Sequence, residues 1–237
     1  MAAKTPHIPH IHLLCMEEKF SDAFEVARKS RKLPESVSFE IHNCALSQLP
    51  REVRFDTIVS PANSYGRLDG AFDDAISREF SPRDDYLALT GVAQKQLYKQ
   101  WRGFAPPGTC TLVDIPKEFE ARSRNTYGTR HLALCPTMRM PANVQWDKEV
   151  VYECIWSLLC AIDNHNRDAR EEDKIKSILM TPLATGVGRV SPEKWALQAV
   201  LAIKHFVEAS ENPEKWSSLQ WEDFGKSCAE TQLTWSK

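Results

Sequence analysis

Two stretches of this chain carry residues whose types and spacing could do chemistry. The first reads Ser60-Pro61-Ala62-Asn63-Ser64-Tyr65-Gly66-Arg67-Leu68-Asp69-Gly70-Ala71-Phe72-Asp73-Asp74-Ala75-Ile76, and brings an amide, glycines and carboxylates into one short segment. The second reads Thr181-Pro182-Leu183-Ala184-Thr185-Gly186-Val187-Gly188-Arg189-Val190-Ser191-Pro192. Glycines in such loops let backbone N–H groups crowd inward, and a following helix adds the positive end of its dipole. Together these features favour a phosphate or diphosphate. An Asn directly after a strand closes an Asx turn into the following helix. Asp69, Asp73 and Asp74 read as complements to the N-terminus of the next helix, since Asp is favoured in any first helical turn. A T-G-V-G loop alone turns many chains without binding anything.

The elements that must position these loops alternate along the chain. Short β-type runs occupy residues 11–15, 37–42, 57–60, 109–115, 131–135 and 177–180. Amphipathic stretches lie between them. Phe20, Ala23, Phe24 and Ala27 recur on one helical face in 17–31. Val151, Cys154, Ile155, Leu158, Leu159 and Ile162 do so in 148–164. Ser191-Pro192 reads as an N-cap followed by proline at the first helical position, opening a helix to about residue 209. Strand–helix alternation predicts a mostly parallel sheet with helices on both faces. In such sheets ligands bind outside the carboxyl ends of the strands, where both loops fall. The polar stretch 165–176 reads as a charged loop.

The segment I-V-S-P-A-N-S-Y-G-R-L-D-G-A-F-D-D-A-I resembles the signature of macro domains, a family of ADP-ribose-binding α/β proteins. P-L-A-T-G-V-G-R-V-S-P-E-K is similar to the family's diphosphate loop and the helix after it. Pro107-Gly108-Thr109 and Leu134-Cys135-Pro136-Thr137-Met138-Arg139-Met140-Pro141 fall in the family's order between them, so the resemblance spans about residues 37–209 and is greatest to stand-alone microbial and fungal members. It implies a three-layer α/β/α fold around a mixed, mostly parallel six-stranded sheet. It also implies a ligand, ADP-ribose or a related phosphorylated ribose, free or on protein. Carried over residue by residue, the ligand-binding set is Ala62, Asn63, Gly70, Ala71, Phe72, Thr185, Gly186, Val187, Gly188 and Arg189. Asn63 would meet the ribose distal to adenine. Asn63 and Asp73 form the catalytic pair, with Asp73 orienting or activating a water against the anomeric carbon. Neither a cofactor nor a metal is implied.

The sequence departs from the family at two places. Ala45 stands where a G-D-I motif supplies the carboxylate for the adenine amine, and the glycine run is altered to Gly70-Ala71-Phe72. Three readings therefore stay open: a hydrolase of ADP-ribosyl esters or of ADP-ribose 1″-phosphate, a non-catalytic reader module, and a scaffold that has lost its ligand.

Composition bounds the rest. Of 237 residues, 42% are hydrophobic and 26% charged, which supports a full core and excludes a disordered chain. With 30 Lys+Arg against 32 Asp+Glu the net charge is −2, without the basic excess that drives nucleic-acid binding. There is no apolar run of membrane-spanning length and no secretory pattern at the start. Seven scattered cysteines without a C-x-x-C pair predict reduced, buried thiols. The expectation is a monomer in the cytoplasm or nucleus. Its macro domain would cover residues 1–209, with residues 210–237 an extension packed on it. The string His7, His10 and His12 has metal-compatible spacing, but its position predicts a solvated terminus. Arg28-Lys29-Ser30-Arg31-Lys32 reads as a solvated helix end. Gly225-Lys226-Ser227 lacks the first glycine of a G-x-x-x-x-G-K-[ST] P-loop, with Gln220 in its place, and no G-x-S-x-G elbow is present, so NTPase and serine hydrolase chemistry are set aside.

Overall fold

Six short runs become the strands, buried on both faces at the centre of the sheet and more exposed at its edges, and their alternation sorts the core into two halves. The computed structural model describes residues 8–237. Its strands are β1 (His10–Leu14), β2 (Phe39–His42), β3 (Thr57–Ser60), β4 (Thr111–Asp114), β5 (His131–Leu134) and β6 (Ser177–Met180). They form one sheet in the order β2-β1-β6-β3-β5-β4. All neighbours are parallel except β4, which runs antiparallel to β5. β3 and β6 coincide with their expected runs, β1 starts and ends one residue earlier, and β2, β4 and β5 are shorter than theirs, because side-chain hydrophobicity extends past the last ladder bond.

Successive residues point to opposite faces. Ile11, Leu13, Val59, Ala133, Ile178 and Met180 join one cluster with α1 (Glu18–Ser30), α4 (Val150–Asp168) and α5 (Pro192–Glu211). Leu14, Ile58, Leu132, Leu134 and Leu179 join the other with α2 (Phe72–Phe80) and α3 (Ala88–Trp101). The sheet is thus sandwiched between two helical layers. α5 starts as its sequence dictates: Ser191 Oγ accepts from the Lys194 N–H at 3.1 Å, with Pro192 at the first position.

Three differences from the sequence reading stand out. α3 was not expected; its buried stripe Leu89, Ala93 and Leu97 has four-residue spacing, but Gly91 interrupts it. α4 runs to Asp168, so the first residues of the expected 165–176 loop are helical. His12 is not solvated but buried in β1, 7% exposed; His7 lies outside the described residues. All seven cysteines carry free thiols, with Cys15, Cys110, Cys135 and Cys154 buried. Burial pushes the Cys15 thiol up to about 12.

After α5 the chain forms α6 (Pro213–Trp216) and α7 (Gly225–Gln232), which lie against α5. Trp216 stacks on Trp156 at 5.7 Å. Thr234 Oγ1 accepts from buried Gln198 at 3.0 Å, and Glu230 accepts from both Lys204 and His205. No helix among the described residues is long and apolar enough to cross a membrane.

Candidate active site

A pocket of about 320 Å³ opens at the carboxyl ends of the parallel strands. Its walls are the loops that follow β1, β6, β3 and β5. Because these strands are consecutive in the sheet, the loops form a row. The β1 loop (Met16, Glu17, with Phe20) closes one end and the β5 loop (Thr137, Met138, Pro141) closes the other. The β6 and β3 loops lie between them.

The β3 loop brings most of the functional groups. Asn63 lines the pocket, but its amide already works for the loop. Its Nδ2 donates to the Arg67 carbonyl at 2.8 Å, and its Oδ1 accepts from the N–H groups of Tyr65 (3.1 Å) and Arg67 (3.3 Å). This Asx turn fixes the strand exit, and one Nδ2 proton remains for a ligand. Next to it, Arg67 Nε pairs with Asp69 Oδ2 at 3.0 Å on the pocket rim. The chain then reaches Ala71 at φ +51°, ψ −125°, a conformation that L-residues rarely hold, and turns into α2.

Asp73, in the first turn of α2, lines the pocket although it is only 7% exposed. The hydroxyl of fully buried Ser60, at the end of β3, donates to Asp73 Oδ1 at 2.6 Å. Burial penalises the carboxylate, the Ser60 hydrogen bond partly offsets that, and the nearby Asp69 charge adds to it. The balance pushes Asp73 up to about 7. A carboxyl poised there can take or give a proton near neutral pH.

The β6 loop supplies donors. Within the described residues, the N–H groups of Thr185, Gly186, Val187 and Gly188 donate to no protein acceptor, and neither do those of Gly70 and Ala71 across the pocket. Both loops are therefore equipped to bind an anion. Gly188 has a steric reason to be glycine, since a Cβ there would sit 2.4 Å from the Ala184 carbonyl oxygen and 2.9 Å from Val144 Cγ2. Ala184 itself lies at φ +61°. Together with Ala71 it places left-handed, non-glycine backbone in both central loops, the pattern expected where a binding surface over-determines the chain.

Of the residues expected from the sequence, the structure brings Ala62, Asn63, Gly70, Ala71, Phe72, Asp73, Thr185, Gly186, Val187 and Gly188 to this one pocket. Arg189 is not among the lining residues. Its N–H closes the turn onto the Gly186 carbonyl at 3.1 Å and its backbone takes φ +59°, so it leaves the wall where Gly188 ends it. Ala45 also lies away from the pocket. It precedes a short 3₁₀ turn (Leu46–Gln48), with its N–H donating to Gln48 Oε1 at 3.2 Å. The sequence reading missed the wall made by Met16, Glu17 and Phe20, along with Arg67 and the buried partner Ser60. A strand-to-helix loop directly after the first strand was the available signal for that wall.

No family model matches this chain, and no curated protein does. Among solved structures it is similar to a macrodomain of Oceanobacillus iheyensis. A mutant of that protein with ADPR is 15% identical, with TM-score 0.48 over 79% of this chain and 90% of that chain. The same macrodomain with ADP is 15% identical, with TM-score 0.47 over 76% and 84%.

Proposed function

We propose that this chain is a macro-domain-type protein that binds ADP-ribose, or a related phosphorylated ribose, and hydrolyses the bond at the distal anomeric carbon. One observation carries the reading. A buried carboxyl held near pKa 7 shares a pocket with two glycine-bearing loops whose N–H groups are free to bind a diphosphate. The motif resemblance points the same way.

The row of loops orders the ligand. The diphosphate lies over the central β6 and β3 loops, the distal ribose between Asn63 and Asp73, and the base toward Met16, Glu17 and Phe20. Ionised Asp73 accepts a proton from water as the water oxygen bonds to the anomeric carbon. The bond from that carbon to the leaving carboxylate or phosphate oxygen breaks, and the leaving group keeps the electron pair. Ser60 acts on the carboxyl, not on substrate, by holding Oδ1 in place.

A non-catalytic reader module is the second reading, favoured by the engagement of the Asn63 amide within its own loop. Calorimetry with ADP-ribose, combined with turnover of ADP-ribosylated protein and ADP-ribose 1″-phosphate by wild type and Asp73→Ala, separates the two. The hydrolase reading expects binding by both proteins and turnover only by wild type. Binding without turnover by either leaves a reader. Absence of binding at millimolar ligand overturns both.

A further inference from the structure

The face of the sheet that carries Leu14, Ile58, Leu132 and Leu179 under α2 and α3 changes character at the β2 edge. In the parallel register His12 pairs with Glu40 and Leu14 with His42. Alternation therefore puts His10, His12, Glu40 and His42 on the same face, while Phe39, Ile41, Ile11 and Leu13 fill the core on the other. His12 Nδ1 stands 3.1 Å from His42 Nε2 and 3.5 Å from Glu40 Oε2, and His42 Nε2 stands 3.7 Å from the same oxygen. Donor atoms of His10, His12 and Glu40 also lie within 4.8 Å of one another. His12 and His42 are buried, at 7% and 9% exposure, with the Phe55 ring 6.3 Å from that of His12; Glu40 faces solvent.

We propose that His12, His42 and Glu40, with His10 beside them, bind one divalent transition-metal ion of the zinc class and so clamp edge strand β2 to β1. The spacing is what a tetrahedral ion requires. Metal–ligand lengths of about 2.0–2.2 Å imply ligand-to-ligand edges of about 3.3–3.6 Å. The three observed donor distances bracket that range. Imidazole nitrogens with one carboxylate are a donor set for zinc and its neighbours rather than for magnesium or calcium. The His12–His42 hydrogen bond needs a proton on one of the two facing nitrogens. Moving that proton to the far nitrogen of its own ring frees both lone pairs without net proton loss. The site is distinct from the pocket, and it explains why two buried histidines stand together at this edge of the sheet. The His-x-His spacing of β1 is half of it, and the β1–β2 register supplies the rest.

The test uses the full chain, stripped with a chelator. It is titrated with zinc in competition with a chromophoric chelator, and separately with cobalt in the visible range. The expected result is one equivalent bound, a tetrahedral cobalt spectrum without a thiolate charge-transfer band, and a raised thermal midpoint with zinc. Glu40→Gln is a solvent-side change that leaves the buried pair intact, so the chain should still fold. It should weaken zinc at least about tenfold and remove most of the thermal shift. His12→Ala should abolish the stoichiometric equivalent. Failure of wild type to bind zinc or cobalt in competition with the indicator overturns the proposal. So does binding that Glu40→Gln and His12→Ala leave unchanged, or a cobalt spectrum dominated by thiolate, which would place the ion at the cysteines.

Discussion

Replacing Asp73 by Asn should make the protein more stable at alkaline pH and leave it unchanged in acid. Asp73 rises from 3.8 to about 7 on folding because its carboxylate loses water and gains only the Ser60 hydroxyl in exchange. A raised carboxyl pKa means that the folded state keeps a proton the unfolded chain has released. The stability from this group is complete below about pH 4, declines as pH rises toward 7, and is flat above that. The displacement corresponds to on the order of 4 kcal/mol over that window. Asn cannot ionise, and its carbonyl can still accept from Ser60. Asp73→Asn should therefore match wild type near pH 4 and exceed it by up to about 4 kcal/mol at pH 8. Urea unfolding across that range, read as the midpoint at constant slope, measures the difference. Equal pH profiles for the two proteins, or a wild type that gains stability from pH 4 to 7 relative to the mutant, would refute the buried, proton-holding Asp73 on which the mechanism rests.

Further outcomes follow from the same pocket. Turnover, as kcat/KM, should rise with pH and level off above about 7 as Asp73 ionises; Ser60→Ala removes the interaction that lowers this pKa and should move the limb upward. Gly188→Ala should destabilise the fold by about 1–3 kcal/mol and weaken ADP-ribose binding, because the new methyl meets the Ala184 carbonyl. Gly186→Ala, with open space at its Cβ, should stay within about 1 kcal/mol of wild type in urea unfolding. In the proposed ligand orientation Glu17 is the carboxylate at the base end, so Glu17→Gln should reduce any preference for ADP-ribose over inosine diphosphate ribose in a competition titration. An unchanged ratio would remove Glu17 from base recognition.

What the sequence shows and hides has a physical pattern. The central strands are legible because burial on both faces leaves short, continuous apolar runs such as Thr57–Ser60 and Ser177–Met180. The two central loops are legible because glycine and Asn mark backbone that must turn tightly. α3 is not, since Gly91 and polar neighbours dilute a stripe of small and medium residues. The Met16–Phe20 wall is not, because nothing in its own residues signals a ligand. It becomes part of the pocket only because β1 lies next to β6, a consequence of sheet order. Ser60 and His42 are hidden for the same reason: each acquires its role from a partner brought by packing or register, Asp73 in one case and His12 in the other.

The sheet order also constrains how the chain can assemble. β1 and β2 are near in sequence and adjacent in space, as are β3, β4 and β5 within the second half of the sheet. Among the described residues the two groups are joined in the sheet by β6, which pairs with β1 on one side and β3 on the other. His10 must wait for Ser177 before the ladder between them can form. Such long-range parallel pairing closes a large loop before it gains contacts, so it is slow. Until β6 is synthesised the sheet lacks the strand that sits between β1 and β3. The pocket is completed later still, when the loop after β6 enters. The complete pocket is therefore among the last features this molecule acquires, and β6 is where a destabilising substitution would most prolong exposure of the half-sheets to aggregation.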